Sequence, residues 1–174
     1  MPVKNRLFVS GLMLAAGLGA SGARADTPCF TLASLKGTWS LVAHYEGGVA
    51  IALGVRHLDE DGNLTGTFIL NEPLAGSTTG ARTVITGTQK GAITTLNCNG
   101  TGVITRVLTT STGVTVTQMD DFVITRAVEK ERHLRATAIQ DAQETASALV
   151  TPGVLVTRDW TRVPDPKEDG ESGR

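Results

Sequence analysis

The chain of 174 residues has few places where polar side chains could carry out acid–base chemistry. His44 and Glu46 stand two residues apart in an alternating run, so in a strand they share one face. Asp120 and Asp121 are adjacent, and two carboxylates forced close together raise each other's pKa, which suits a general acid. Neighbours in a strand point to opposite faces, however. We therefore expect a solvated strand start for the two aspartates and a surface pair for His44 and Glu46.

Metal and nucleophile chemistry find no support in the sequence. It contains no nucleophile elbow, phosphate-binding loop or HExxH motif. Residues 59–63, DEDGN, are similar to the start of a calcium loop but lack its Gly-x5-Glu continuation, so we interpret them as a hairpin turn. Two isolated cysteines, Cys29 and Cys98, and three histidines do not have the spacing of a zinc site. We expect neither a metal nor a cofactor.

Residues 1–25 have the features of a secretory signal peptide. Lys4 and Arg6 form a positive start, an apolar run of about 14 residues follows, and ARA at 23–25 supplies small residues at the cleavage positions. A membrane anchor is the alternative, but the run is shorter than the ~20 residues that span a bilayer. The sequence predicts a secreted or periplasmic protein with no membrane span after cleavage.

Export and cleavage have consequences for the rest of the chain. In an oxidising compartment Cys29 and Cys98 can form one disulfide, and a free reactive thiol is the alternative. Loss of the three basic residues of the signal peptide changes the formal net charge from −1 to −4. The mature chain therefore lacks the excess of positive charge that is typical of nucleic-acid-binding proteins. Residues 26–163 suffice for one domain, and the polar tail at 164–174 is expected to be disordered.

The mature sequence predicts an all-β fold. Thr and Val, which favour strands, fill short runs that end in Gly, Asn or Asp turns. About eight to ten such runs form an antiparallel meander, which generally closes into a barrel or folds into a sandwich. We predict a single up-and-down antiparallel β-barrel of about eight strands. Residues 141–150, DAQETASALV, break the pattern and indicate a helical turn or an irregular loop before the last strand.

Alternation assigns side chains to the faces of the first three strands. An interior of aliphatic side chains with occasional aromatics accepts an apolar molecule or fills itself. The apolar faces carry Trp39, Leu41, Ala43 and Tyr45 in the first strand, Val49, Ile51, Leu53 and Val55 in the second, and Leu64, Gly66, Phe68 and Leu70 in the third.

Two stretches, LKGTW at 35–39 and DEDGNLTGTF at 59–68, resemble the first hairpins of avidin-like proteins. The G-x-W element is also similar to that of lipocalins and of small periplasmic metalloprotease inhibitors. These are calycin-type barrels in which a first-strand Trp closes one end, so the resemblance implies that Trp39 is a plug. Across 33–162 the layout is similar to secreted bacterial barrels of the allene-oxide-cyclase-like type.

Residue by residue, the resemblance carries over only in part. Leu41 and Tyr45 stand where avidin-like proteins have an Asn and a Ser that bind ligand, so biotin binding is not implied. In lipocalins a basic residue near the last strand packs across the floor Trp. Arg158 or Arg162 would take that structural role here, and a cation over an indole contributes about 0.5–2 kcal/mol.

The plug and the lack of a catalytic motif favour a binding module that holds a small apolar molecule above the Trp. No nucleic-acid partner is expected, and the sequence does not indicate an oligomeric state. The expected ligand-binding residues are Trp39, Tyr45, Leu53, Phe68 and Phe122.

Two alternatives stay open. The allene-oxide-cyclase-like resemblance implies a metal-free cyclase or isomerase, which needs a shaped apolar cavity and one or two polar groups. The candidates for those groups are Tyr45, Asn71, Glu72 and Arg106. The resemblance to protease inhibitors implies an interaction protein whose N-terminal segment, residues 26–34, enters a target's cleft.

Overall fold

A computed structural model describes residues 28–145, residue 149 and residues 154–164. The expected signal peptide and the tail beyond Pro164 lie outside the described residues. No helix within the described ranges is long and apolar enough to cross a membrane.

The chain forms a closed barrel of eight antiparallel strands in sequence order, which confirms the predicted fold class. Each strand pairs with its neighbours in the sequence, and the last strand pairs with the first. A short helix precedes the barrel, and a 3-10 turn, Glu46–Gly48, joins the first two strands. The elements are α1 Leu32–Leu35, β1 Gly37–Tyr45, β2 Ile51–Leu58, β3 Asn63–Pro73, β4 Arg82–Leu96, β5 Thr101–Thr110, β6 Thr115–Lys130, β7 His133–Gln143 and β8 Val156–Arg162.

The turn between β2 and β3 forms where the sequence predicts it. The DEDGN segment is a hairpin turn between β2 and β3, where Asp59 Oδ1 accepts the backbone N–H groups of Asp61 and Asn63 at 3.0 and 2.8 Å. Gly62 supplies the positive φ of 81° that this turn requires. A helical turn starting at Asp141 is wrong, because residues 141–143 continue β7. Residues 146–148 and 150–153 lie outside the described residues.

The expected inward faces of β1 and β3 are confirmed, whereas that of β2 is reversed. Directly opposite residues of an antiparallel pair share a face. Buried Trp39 lies opposite Arg56, so Arg56 points inward and Leu53, opposite Val42, points outward. The expectation that Leu53 lines the interior is therefore wrong, and its side chain is 51% exposed. β1 packs closely against the inner face of β2 at Gly54, since a Cβ there would lie 3.3 Å from the Leu41 side chain.

One end of the barrel is closed by Trp39 and α1. The indole is fully buried, and its Nε1 donates a hydrogen bond of 2.9 Å to the carbonyl of Leu35 at the end of α1. The Arg162 guanidinium lies 4.5 Å from the centre of the Trp39 ring and donates to the Ser34 carbonyl. These contacts bind the helix, the first strand and the last strand into one plug.

The predicted disulfide between Cys29 and Cys98 is confirmed. It holds the segment before α1 against the turn that joins β4 and β5. Phe30 N–H donates to the Cys98 carbonyl at 3.3 Å, and the Phe30 ring lies against Gly100. The closed end is thus covalently tied to the barrel wall.

Apolar side chains fill the barrel in two separate groups. One group surrounds Trp39 and Trp160 at the closed end, and the other lies at the opposite end, which we call the mouth. The mouth group comprises Ala43, Ala50, Ala52, Phe68, Leu70, Leu108 and Val156.

Candidate functional site

A cluster of charged and amide side chains occupies the barrel between the two apolar groups. All of its members are buried, and they come from β2 and from β4 through β8. We call this set the polar cluster; it consists of Arg56, Gln89, Arg106, Gln118, Asp120, Asp141, Gln143 and Arg158.

The two carboxylates of the polar cluster are saturated with donors. Asp120 accepts from Arg106 Nε at 2.6 Å and from Arg158 Nη1 at 2.9 Å. Asp141 accepts from Arg158 Nη1 at 2.8 Å, from Arg56 Nη1 at 3.2 Å and from Trp160 Nε1. Arg158 therefore bridges both carboxylates, and charged groups this deeply buried are held by ion pairs with several hydrogen bonds each.

Arg56 reaches across a strand because that strand carries a glycine. Gly66 of β3 lies opposite both Arg56 of β2 and Gln89 of β4. A Cβ there would lie 3.2 Å from Gln89 Nε2 and would collide with the Val55 carbonyl. The missing side chain allows Arg56 Nε to donate to Gln89 Oε1 at 3.0 Å. The same guanidinium stacks on Trp160 at 4.0 Å, which fixes its plane.

The polar cluster is not electrically balanced. Among the described residues, the buried charged side chains are three arginines and two aspartates, an excess of one positive charge. Burial, followed by the neighbouring charge of Arg106, lowers the pKa of Arg56 well below its ordinary value. Burial also raises the pKa of Asp120, but Arg158 and Arg106 outweigh this and hold the pKa below its ordinary value.

One acceptor in the cluster has no partner. Gln118 is 4% exposed, and its Oε1 has no hydrogen-bond partner within the part of the chain that the structure describes. Gln118 lies directly opposite Arg106 in the pairing of β5 with β6, on the same face as Asp120. A buried polar atom without a partner costs about 1–3 kcal/mol, so this position calls for an explanation.

A cavity of about 20 Å³ lies where the polar cluster meets the mouth group. That volume holds about one water molecule. Arg56, Gln89, Arg106, Gln118 and Arg158 form its polar side. Its apolar side and rim are formed by Leu41, Ala43, Tyr45, Ala52, Phe68, Leu108 and Leu149.

Larger depressions, of about 460 to 750 Å³, lie on the outside of the barrel. They are lined in part by exposed strand residues such as Gln140, Asp159 and Thr161. The interior cavity is the better candidate site, because buried charges converge there against an apolar wall.

Tyr45 connects the cavity to the mouth. It ends β1, is half-buried and lines the cavity. Burial raises the pKa of the phenol, while the positive charges of Arg158 and Arg106 act in the opposite direction. The phenol thus stays protonated at neutral pH and is available as a hydrogen-bond donor.

The five expected ligand-binding residues fall into three places. Tyr45 and Phe68 line the cavity. Trp39 and Phe122 belong to the apolar group at the closed end, and Leu53 lies on the outer wall. The polar cluster separates the cavity from the Trp, which the sequence analysis did not anticipate.

The four candidate catalytic residues divide into two pairs. Tyr45 and Arg106 line the same cavity. Asn71 and Glu72 lie near the end of β3, where Asn71 Oδ1 accepts from Arg82 Nε at 2.7 Å, and neither lines that cavity. A site for a substrate of ordinary size needs several hundred Å³. Tyr45 and Arg106 do converge, but the cavity that they line has a volume of about 20 Å³.

Sequence reasoning placed some charged residues wrongly. Asp120 is fully buried, so the expectation of a solvated aspartate there is wrong, whereas Asp121 is exposed. His44 is exposed as expected, but its Nε2 lies 3.4 Å from Asp159 Oδ2. Arg162 is the arginine that covers the Trp, and Arg158 belongs to the polar cluster.

A signal for the polar cluster is present in the sequence. Arg106 stands two residues from Ile104 and two from Leu108, and Arg158 stands two residues from Trp160. In a strand, each arginine therefore shares a face with those apolar residues. Charged residues that share a face with large apolar residues in several consecutive strands point to a buried ion-pair network.

The sequence matches no protein-family model, and no curated protein shows significant similarity to it. The closed barrel of eight antiparallel strands is compatible with a calycin-type architecture.

Proposed function

We propose that the protein is a small-molecule-binding β-barrel that acts outside the cytoplasm. The cavity holds about one water molecule, so the ligand enters at the mouth by displacing Phe68 and Leu108. Its apolar part then lies against these side chains and the small side chains of Ala43 and Ala52. One observation carries the proposal: the tube is plugged at one end, and at the other end an apolar wall meets buried arginines around a cavity.

In this arrangement the ligand lies away from the Trp plug. Side chains between the closed end and the cavity form a continuous hydrogen-bonded layer, with Arg158 joining Asp120 to Asp141. A ligand cannot cross that layer without separating buried ion pairs, which costs several kcal/mol. The ligand therefore rests on the polar cluster, with Trp39 serving as a structural plug beneath it.

The proposed location outside the cytoplasm has one supporting observation among the described residues, the disulfide between Cys29 and Cys98. Disulfides persist in oxidising compartments and are rare in the cytosol. The pattern of residues 1–25 predicts export independently.

A fluorescence titration tests the binding function. Trp160 stacks on Arg56, which lines the cavity, so ligand entry is expected to change Trp emission. Medium-chain alcohols and acids serve as probes. Replacement Ala52→Leu fills the cavity and is expected to abolish the response, whereas Leu53→Ala, one position further and outside, leaves it intact. No response from any probe, or equal loss in both variants, contradicts the proposal.

A metal-free isomerase or cyclase is the second candidate, since Tyr45 and Arg106 meet at one cavity. Such an enzyme needs a proton donor and a cation that steadies developing negative charge. Tyr45→Phe distinguishes the two functions: it leaves the apolar contacts of a bound probe in place but removes the donor, so turnover is lost while binding persists.

The inhibitor-like alternative receives no support from the described residues. From Cys29 to α1 the N-terminal segment is fixed to the closed end by the disulfide and by the Trp39–Leu35 hydrogen bond. A segment held in this way does not extend freely into another protein's cleft.

A further inference from the structure

This inference rests on the proposed function and specifies the chemistry of its ligand. We propose that the cavity is an anion subsite and that the ligand is a small amphiphilic monocarboxylate. Because the cavity holds about one water molecule, the ligand displaces Phe68 and Leu108 when it binds. Its carboxylate then lies among Arg56, Arg106 and Gln118, and its apolar tail extends between the displaced side chains toward the mouth.

The charge count is the first argument. Within the described ranges, three buried guanidinium groups face two buried carboxylates, and all four carboxylate oxygens already accept from these arginines or from Trp160. An uncompensated buried charge is costly, and a bound anion of one unit charge removes the excess. Glu72, near the end of β3, is half-buried and does not line the cavity, so it does not supply that anion.

The position of the excess charge is the second argument. Arg56 and Arg106 both line the cavity and share a single neutral acceptor, Gln89 Oε1, at 3.0 and 3.5 Å. The longer of these contacts is a weak hydrogen bond. Arg56 also pairs with Asp141 and Arg106 with Asp120, so Gln89 Oε1 is an additional, neutral acceptor for both guanidinium groups, whereas a carboxylate in the cavity would offer them two charged oxygens.

The unpaired amide of Gln118 is the third argument. Gln118 lines the cavity, is almost fully buried and has an oxygen without a partner among the described residues. A Gln amide can rotate so that Nε2 takes the place of Oε1, since the two arrangements have the same shape. Turned in this way, Gln118 Nε2 is available to donate to an anion in the cavity.

The apolar wall selects an amphiphile rather than a bare inorganic anion. Above the charged groups, Ala43, Ala52, Phe68 and Leu108 continue toward the mouth, and Leu149 borders the cavity. Each methylene buried against such a wall contributes about 0.8 kcal/mol, equivalent to about a fourfold gain in affinity. A neutral ligand leaves the charge excess unchanged, and a cationic ligand increases it.

A head-group series with a constant tail tests the inference. Octanoate, octanol and octylamine are titrated by calorimetry against the wild-type protein and against Leu149→Ala, which enlarges the cavity. We expect octanoate to bind at least tenfold more tightly than octanol and octylamine not to bind. We also expect affinity to rise about fourfold per methylene from butanoate to octanoate.

Two variants of Gln118 test the charge excess itself. Gln118→Glu places an anion inside the cluster, so we expect a higher melting temperature at neutral pH and a loss of octanoate affinity of more than tenfold. Gln118→Leu removes the unpaired atom without adding charge and is expected to weaken octanoate less than tenfold. A melting temperature of Gln118→Glu below that of Gln118→Leu overturns the inference.

The outcomes of these titrations distinguish failure of the anion subsite from failure of small-molecule binding. If octanol binds as tightly as octanoate, small-molecule binding stands and the anion subsite is refuted. If sulfate binds as tightly as octanoate, the site takes anions in general and the amphiphile is refuted. If none of the probes binds to the wild type or to Leu149→Ala, both proposals are refuted.

Discussion

Replacing Asp120 with Asn is expected to destabilise the protein more than other changes of one charge. Asp120 is fully buried and accepts three hydrogen bonds, at 2.6 and 3.3 Å from Arg106 and at 2.9 Å from Arg158. The neutral amide cannot compensate either guanidinium, so the buried excess rises from one positive charge to two. Removing one partner of a buried ion pair costs about 3–5 kcal/mol, which lowers the melting temperature by about 10 to 15 °C.

Asp121→Asn is the matched control, because this neighbour is exposed and faces outward. Its effect should stay within about 0.5 kcal/mol. Urea unfolding followed by Trp fluorescence and by circular dichroism gives both free energies. A cost for Asp120→Asn of less than about 1 kcal/mol, or one equal to that of the control, would refute the reasoning about the cluster.

The loss of stability caused by Asp120→Asn has a predicted pH dependence. Although burial opposes it, the two arginines hold the pKa of Asp120 below its ordinary value in the folded state. The stabilisation is therefore complete above the unfolded pKa of about 3.9 and is lost as pH falls through the lower, folded pKa. The difference between the wild type and Asp120→Asn should be constant near neutrality and shrink only in strong acid. A difference that shrinks between pH 8 and pH 6 contradicts this.

Three further predictions concern the barrel itself. Replacing both Cys29 and Cys98 with Ala should cost about 4 kcal/mol, since the disulfide spans 69 residues of sequence; calorimetry that shows less than about 1 kcal/mol contradicts this. Phe68→Ala should cost about 3–5 kcal/mol, while Leu53→Lys should stay within about 0.5 kcal/mol because that side chain is outside; equal costs in urea unfolding would restore the face assigned from the sequence. Arg162→Ala should cost about 2 kcal/mol and Arg162→Lys about half of that, because Lys keeps the charge over the indole but loses the forked hydrogen bonds.

The fold could be predicted because its determinants are local. Alternating Thr and Val residues specify short strands, and glycines such as Gly62 and Gly100 specify the turns between antiparallel neighbours. With about eight strands in a meander, the remaining choice was between a closed barrel and a sandwich. The Trp in the G-x-W element indicated which end is closed. The disulfide followed from two cysteines in a chain with export features.

The sequence indicates buried charges on several strands, but the contacts among them could not be predicted because they depend on register across strands. On β2 the large apolar residues Ile51, Leu53 and Val55 are on the outside, and the inner face carries Ala52, Gly54 and Arg56. Hydrophobicity alone therefore selects the wrong face. That Arg56 lies opposite Trp39 follows only from the pairing of β1 with β2. That Arg56 reaches Gln89 follows only from the position of Gly66 between them on β3.

A crystal structure of the protein grown with octanoate tests the central claim most directly. The account predicts the carboxylate within hydrogen-bond distance of Arg56 and Arg106, the Gln118 amide donating to it, and the tail beside Phe68 at the mouth. Octanoate bound only on the outer wall, or lying beyond the polar cluster against Trp39, would contradict the account.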